Sequence, residues 1–382
     1  MHDYHSPWET SELTQWRDAV RRFCEQEVVP HDETWSAQGF VDRSAWRKAG
    51  ELGILGADIS EELGGTGGHF GHSAVVAEEL SRVGANSFRV AIAIHVIAVH
   101  YIVAYGSDEQ RRQWIPKLCD GSALAGVAMS EPGGGSDLQN MRTAALRDGD
   151  SYIVNGSKIF ITNGSQADLL IVAAKTDPSQ RARGISMLLL ETNTPGFSVG
   201  RRLEKLGLHA SDTCELFFDN CRIPAMALLG QQESAGFVQM MEQLAYERAI
   251  AAVGCVANME YAFELTRQYC HDRNAFGKAI MDFQNTRFEL ADVKSETFVS
   301  RLLVDHVIGQ MIDGQVSAEL ASTAKYLTSE KLGRCVDRCV QLFGGYGYMA
   351  EYPIARLYAD ARIERVYGGT TEIMKEIIGR AI

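Results

Sequence analysis

Residues 152–173 read YIVNGSKIFITNGSQADLLIVA, and their period is that of strands. Tyr152–Val154, Ile159–Ile161 and Leu169–Ala173 are β-rich runs, and Met187–Leu190 follows them. Asn155-Gly156 and Asn163-Gly164 are two-residue hairpin signals. On either side the period is helical. Upstream, Leu13, Trp16, Val20, Cys24 and Val28 recur at helical spacing until Pro30, and Ser107 with Gln110 forms a capping-box signature ahead of Trp114 and Leu118. Downstream of Pro224, long helical periods resume and are broken at 273–278, at 344–348 and at Gly368-Gly369. The expected fold class is therefore α+β: an N-terminal helical domain over 1–125, a middle β-barrel domain over 126–230 and a C-terminal four-helix-bundle domain over 231–382.

A chain of 382 residues is too long for one ordinary core, which agrees with several domains. A net charge of −12 argues against a nucleic-acid or anionic-membrane surface, both of which need basic patches. The eight cysteines form no C-x-x-C pair and no zinc-like cluster, so no metal site is expected and a reducing compartment is. Cys335 and Cys339, one helical turn apart, read as core thiols. The segment MHDYHSPWETSEL has no basic-then-apolar targeting pattern, so a cytoplasmic location is expected, or the mitochondrial matrix for a processed eukaryotic chain. The apolar run Val90–Tyr105 carries His95 and His100 and is read as too short to span a bilayer, hence as a buried helix or the lining of an apolar cavity. The glycine-rich stretch ELGGTGGHFG, residues 62–71, lacks dinucleotide-binding spacing and reads as a loop.

One residue breaks the pattern. In GFVQMMEQLAYERAIAAVGCV, residues 236–256, Phe237, Met240, Leu244, Glu247, Ala251 and Gly254 share one helical face. A carboxylate in an apolar stripe either finds a cation or has its pKa driven up. Pairing with neighbouring Arg248 is the structural reading of Glu247. A general base beside vacant space is the functional one.

The run AMSEPGGGSD, residues 128–137, joins an apolar strand to a turn whose three glycines permit close backbone approach, with Ser130 and Ser136 hydroxyls on either side. Together with KIFITNG (158–164), RNAFGK (273–278), QLFGGYGY (341–348) and YGGTTEI (367–373), in this order over essentially the whole chain, it resembles the acyl-CoA dehydrogenase family. The details are most similar to its long-chain branch.

The resemblance implies FAD as cofactor and an acyl-CoA as substrate. Met129 and Ser130 would hydrogen-bond the flavin, Phe160 would cover one edge of it and Thr162 would contact the same ring system. Ser136 would sit at the CoA portion. Arg273, Gln284, Gln341, Gly344 and Gly345 match positions that hold the FAD pyrophosphate and adenosine, partly across a subunit boundary, and Thr370 and Glu372 match further FAD contacts. Tyr246, Arg248, Tyr367, Gly368 and Arg380 match substrate-side positions. Most members carry their catalytic glutamate directly after the matched tyrosine, where this chain has Gly368. The long-chain and isovaleryl branches place it at the position of Glu247. The implied reaction is α,β-dehydrogenation to a trans-2-enoyl-CoA, with Glu247 taking the α-proton, flavin N5 taking hydride and the Gly368 N–H holding the thioester oxygen. Medium, long or branched acyl groups are expected, given room at Gly368, Ala251 and Gly254. An electron-transferring flavoprotein as acceptor and a homotetramer are implied too, with no membrane span. The alternatives are dehydrogenation of a carrier-protein-bound acyl group, a flavin enzyme using O₂, and a non-catalytic flavin-binding protein.

Overall fold

The computed structural model describes residues 4–382, so the first three residues of the N-terminal segment lie outside it. The first part is helical: α1 (Ser11–Phe23), α2 (Asp32–Gln38), α3 (Arg43–Leu52), α4 (Phe70–Arg82), α5 (Asn86–Tyr105) and α6 (Asp108–Cys119). The Leu13, Val20, Cys24 and Val28 stripe is buried, and α1 runs on through a π-helical turn at Cys24–Val28 before Pro30. The capping box forms as expected. Ser107 Oγ accepts from the Gln110 N–H at 3.1 Å and Gln110 Oε1 accepts from the Ser107 N–H at 2.9 Å. The 62–71 stretch is a loop that ends at His69, the N-cap of α4.

The apolar run is longer than its reading allowed. It begins at Asn86, and α5 is long and apolar enough to cross a membrane by length and composition. Within this fold it is instead mostly enclosed, packed against α4, α6 and α7.

Seven strands follow: β1 (Ala125–Ala128), β2 (Ala144–Asp148), β3 (Ser151–Thr162), β4 (Leu169–Lys175), β5 (Ile185–Glu191), β6 (Phe197–Arg202) and β7 (Thr213–Pro224). They form one sheet in the order β1-β4-β2-β3-β7-β6, with β5 paired to β4. The expected barrel is not made. The sheet stays open, a half-barrel with its edges 12 Å apart. Strand β4 shows why. Leu169, Ile171 and Ala173 join the helical core, whereas Leu170, Val172 and Ala174 join the sheet's own core, so both faces are already covered without closure. The two halves of the sheet also meet through a single pairing, Ala144 with Lys175.

Asn155-Gly156 is not a hairpin either. It lies inside β3, where the register against β7 shifts between Val154 and Gly156. Gly156 has φ +147°, and a Cβ there would come within 2.5 Å of Thr143 Oγ1, so this glycine serves a bulge and a close approach. Asn163-Gly164 does sit in the turn after β3, but that turn leads to β4, which does not pair with β3, so it closes no hairpin either.

The last part contains α7 (Gly236–Asp272), α8 (Gln284–Ile312) and α9 (Ala318–Phe343), then the shorter α10 (Pro353–Ala361) and α11 (Thr371–Gly379). Three long helices pack together with α10 against α7 and α9 and α11 against α9. Helix α7 is the axis of the molecule: it contacts α4, α5, α8, α9 and β5. From Ala249 to Met259 it is buried all round, not only on the predicted face.

Candidate active site

Glu247 stands about a third of the way along α7, and its side chain is half-buried with Oε1 sealed from solvent. That oxygen has no hydrogen-bond partner among the described residues. Burial pushes the carboxyl up to about 7, only partly opposed by the positive charge of Arg248. Arg248 is not its partner: no ion pair or hydrogen bond joins the two side chains. Instead the buried Arg248 donates Nη1–H to Ser322 Oγ at 3.3 Å, its Nε is also unpartnered, and burial lowers its pKa. On α5, the fully buried Tyr101 hydroxyl is a second polar group without a partner, and burial and the Glu247 charge raise its pKa far above normal. Buried polar atoms are rarely left unpaired, so two around one carboxylate mark a place built to meet something else.

The turn at Tyr367-Gly368-Gly369 is fixed from behind. Tyr367 donates its hydroxyl to Glu364 Oε2 at 2.6 Å, the Cys255 thiol of α7 donates to the same oxygen at 3.6 Å, and Arg89 of α5 holds Glu364 Oε1 at 2.5 Å. Lys325 of α9 donates Nζ–H to the Gly369 carbonyl at 2.5 Å. Gly368 itself has φ +63°, and a Cβ there would meet nothing within 4 Å. It opens onto free space. Gly254 does not: its missing Cβ makes way for the Arg89 guanidinium, whose Nη1 lies 2.3 Å from where that Cβ would be. The expectation that Gly254 leaves room for an acyl group therefore fails. Glu364 is locked in its ion pair, so it is not a second candidate base.

Tyr246, one residue before Glu247, turns its hydroxyl to Asp58 Oδ2 at 2.8 Å and packs its ring, tilted by 43°, against His100 at 4.3 Å between centroids. His95 is fully buried, bonded to the Leu118 carbonyl and the Ala125 N–H, and burial takes it down to about 4, which makes it structural.

The flavin-side residues converge on the loop after β1. Glu131 and Gly134 exchange backbone hydrogen bonds at 3.0 Å across a two-residue turn. The Glu131 carboxylate accepts from the Arg142 and Thr143 N–H groups, at 2.6 and 2.9 Å. Lys158, wholly buried, donates to Glu131 Oε1 and to the Met129 carbonyl, both at 2.9 Å, and burial brings it down to about 8 against the pull of Glu131. Met129 and Ser130 are half-buried, Thr162 likewise, and Ser136 is exposed. Phe160 is 66% exposed at φ +62°, an aromatic face held out to solvent by a strained backbone.

A separate open groove of ≈ 570 Å³ gathers Arg273, Gln341, Gly344 and Gly345. Arg273 is exposed and stands over the Tyr346 ring at 5.6 Å. A Cβ at Gly344 or Gly345 would meet nothing within 4 Å. A guanidinium beside a bare glycine backbone is a fit for a pyrophosphate. Gln284, exposed at the start of α8, is not part of that groove. Thr370 caps α11 and Glu372 is exposed in its first turn. Arg380, at the other end of α11, is exposed and pairs with Glu376 at 2.8 Å.

Arg89, Lys158, Lys325 and Tyr101 were not singled out from the sequence. The available signal was a charged or hydroxyl side chain inside an apolar run, the same signal that exposed Glu247.

Comparison with known proteins places these features. Residues 10–122, 126–221 and 234–382 match the acyl-CoA dehydrogenase N-terminal, middle and C-terminal domains in turn. The chain is 45% identical to the mitochondrial long-chain specific acyl-CoA dehydrogenase of Sus scrofa, over 98% of this chain and 87% of that protein. The crystal structure of an acyl-CoA dehydrogenase from Geobacillus kaustophilus superposes with a TM-score of 0.96 at 45% identity, covering 99% of each chain. A glutaryl-CoA dehydrogenase from Mycobacterium smegmatis in complex with FADH2 does so with a TM-score of 0.91 at 30% identity, covering 98% of this chain and 95% of that one.

Proposed function

The chain belongs to the acyl-CoA dehydrogenase family, and from that premise we propose that Glu247 is the base that starts the reaction. It is an oxidoreductase that carries out FAD-dependent α,β-dehydrogenation of an acyl-CoA, chemistry of fatty-acid metabolism. Bound FAD supplies the acceptor for the β-hydrogen, which leaves as hydride.

The rest is the work of this chain's own residues. The observation that carries the reading is the partnerless, sealed Oε1 of Glu247 on a carboxyl pushed up to about 7. A group with that pKa is ionised enough near neutrality to accept a proton and basic enough to pull on a weak carbon acid. Glu247 takes the α-proton, and the product is a trans-2-enoyl-CoA. The Gly368 N–H donates to the thioester oxygen as charge grows on it, steadied by the Tyr367–Glu364–Arg89 and Lys325–Gly369 contacts behind the turn. Tyr246, Tyr367 and Arg248 line the substrate side, with Ser136 and Arg380 toward CoA. The open space beside Gly368 suits branching near the thioester.

Met129, Ser130, Phe160 and Thr162 hold the flavin end of FAD, with the Lys158–Glu131 pair bracing the Met129 carbonyl. Arg273, Gln284, Gln341, Gly344 and Gly345 hold its pyrophosphate and adenosine, and Thr370 and Glu372 add contacts. The openness of that groove, and Phe276 at 97% exposure in the turn between the two short paired strands Asn274–Ala275 and Lys278–Ala279, suit a site completed by a second subunit of a homotetramer. The domains divide at 125/126 and 230/231, and electrons pass to an electron-transferring flavoprotein.

Anaerobic mixing of the yellow enzyme with acyl-CoA tests the reaction. Bleaching with slow recovery in air supports the dehydrogenase, fast recovery an oxidase, and bleaching only by acyl-carrier protein the carrier-bound substrate. A colourless protein that takes up no FAD would contradict the reading.

A further inference from the structure

A narrow cavity of ≈ 20 Å³, little more than the room one water needs, runs between α4, α5 and α7. Val76 lines it from α4, Ile92 and Val96 from α5, and Ile250 from α7. The helices on either side of it can be oriented. Tyr246 packs against His100, and Gly254 meets Arg89, so α5 and α7 run antiparallel beside it. Tyr246 and Arg89 both line the cavity, and along α7 Glu247 follows Tyr246 directly while Gly254, against Arg89, comes two turns later.

The Arg89 end is closed by charge. Arg89 Nη2 holds Glu364 Oε1 at 2.5 Å, both side chains are almost fully buried, and only a glycine at 254 leaves room for the guanidinium. An apolar tail that displaced Arg89 would strand two buried charges, which is far costlier than any gain from burying methylenes. Nor does this end attract an anion. Glu364 already neutralises Arg89, and a carboxylate arriving there would face it.

Resting on Glu247 as the base, we propose that the Arg89–Glu364 ion pair is the chain-length stop of the acyl site and restricts the enzyme to short and medium acyl groups. Seven residues of α7 separate Glu247 from Gly254, about 10.5 Å at about 1.5 Å per residue. An extended alkyl chain advances about 1.25 Å per carbon, from bonds of about 1.5 Å and angles of about 111°. The reach is therefore about eight carbons beyond the reacting centre. This departs from the long-chain relatives that the sequence otherwise matches.

The test is kcat/KM of the FAD-loaded enzyme, with an artificial electron acceptor, over straight-chain acyl-CoAs from butyryl to palmitoyl and for glutaryl-CoA. The expected optimum lies at decanoyl or below, since about eight carbons beyond the α-carbon make a chain of about ten carbons, with palmitoyl-CoA lower by about 10-fold or more. In the double variant Arg89→Ala with Glu364→Gln, which leaves no orphaned charge and keeps an acceptor for Tyr367, the palmitoyl-to-octanoyl ratio should rise by about 10-fold. Wild-type turnover of palmitoyl-CoA equal to octanoyl-CoA overturns the stop whether or not the variant folds. A preference for glutaryl-CoA overturns it too, by making Arg89 a carboxylate anchor. Failure of every acyl-CoA to bleach the flavin removes the dehydrogenase reading and this proposal with it, which the first two outcomes do not.

Discussion

Glu247 and Arg248 are adjacent in the chain and opposite in charge, yet they do not pair: Arg248 reaches Ser322 on α9, while Glu247 Oε1 keeps no partner. Consecutive helical residues point about 100° apart, so neighbours in sequence do not face each other on a helix. The geometry that denies Glu247 its counter-ion is the geometry that keeps it basic.

The first consequence is a pH profile. Because burial raises Glu247 to about 7, kcat/KM should climb with pH and reach half its limiting value near 7 in the free enzyme. A stability effect of opposite sign accompanies it. The folded state binds a proton that the unfolded state gives up near the ordinary carboxyl range, so this contribution is harmless at low pH and costs stability as pH rises through that range toward 7. Glu247→Gln should therefore stabilise the fold at pH 8, by on the order of 3 kcal/mol, and much less at pH 5. Denaturant melts of both proteins at the two pH values check it.

Lys158→Met should cost about 3 kcal/mol or more, because it leaves Glu131 buried without its cation. It also frees the Met129 carbonyl, so FAD should dissociate more readily. Chemical denaturation and the flavin content after gel filtration measure the two effects.

Gly368→Ala meets no clash, since the new Cβ has nothing within 4 Å, but a left-handed φ of +63° costs a non-glycine residue about 1–2 kcal/mol. The turn should relax, with a small loss in Tm and a larger loss in kcat than in flavin binding. An unchanged kcat would count against the Gly368 N–H as the oxygen holder.

Gly254→Ala puts a methyl group 2.3 Å from Arg89 Nη1. It should destabilise by about 2 kcal/mol or more through overpacking and disruption of the Arg89–Glu364 pair. Thermal unfolding of the holoenzyme reads it.

Periodicity located the helical, strand-rich and helical thirds, because each element's buried face leaves its own spacing in the sequence. The Ser107–Gln110 box was legible for the same reason: its two hydrogen bonds are local. The barrel was not, because closure depends on how β6 sits relative to the far edge, and no local pattern encodes that. Asn155-Gly156 misled since a bulge and a hairpin use the same residues, and only the partner strand β7 decides between them. Glu247 stood out as a charge in an apolar stripe. Gly254 was misjudged because its space is taken by Arg89, 165 positions earlier in the chain, a contact that only the packing of α5 on α7 creates.

The most direct measurement is rapid anaerobic mixing of Glu247→Gln holoenzyme with octanoyl-CoA, following flavin absorbance. The variant should stay yellow, bind the acyl-CoA and bleach at least ~100-fold more slowly than the wild type, the usual cost of losing a general base. Bleaching at the wild-type rate would show that another group takes the α-proton and would contradict the account.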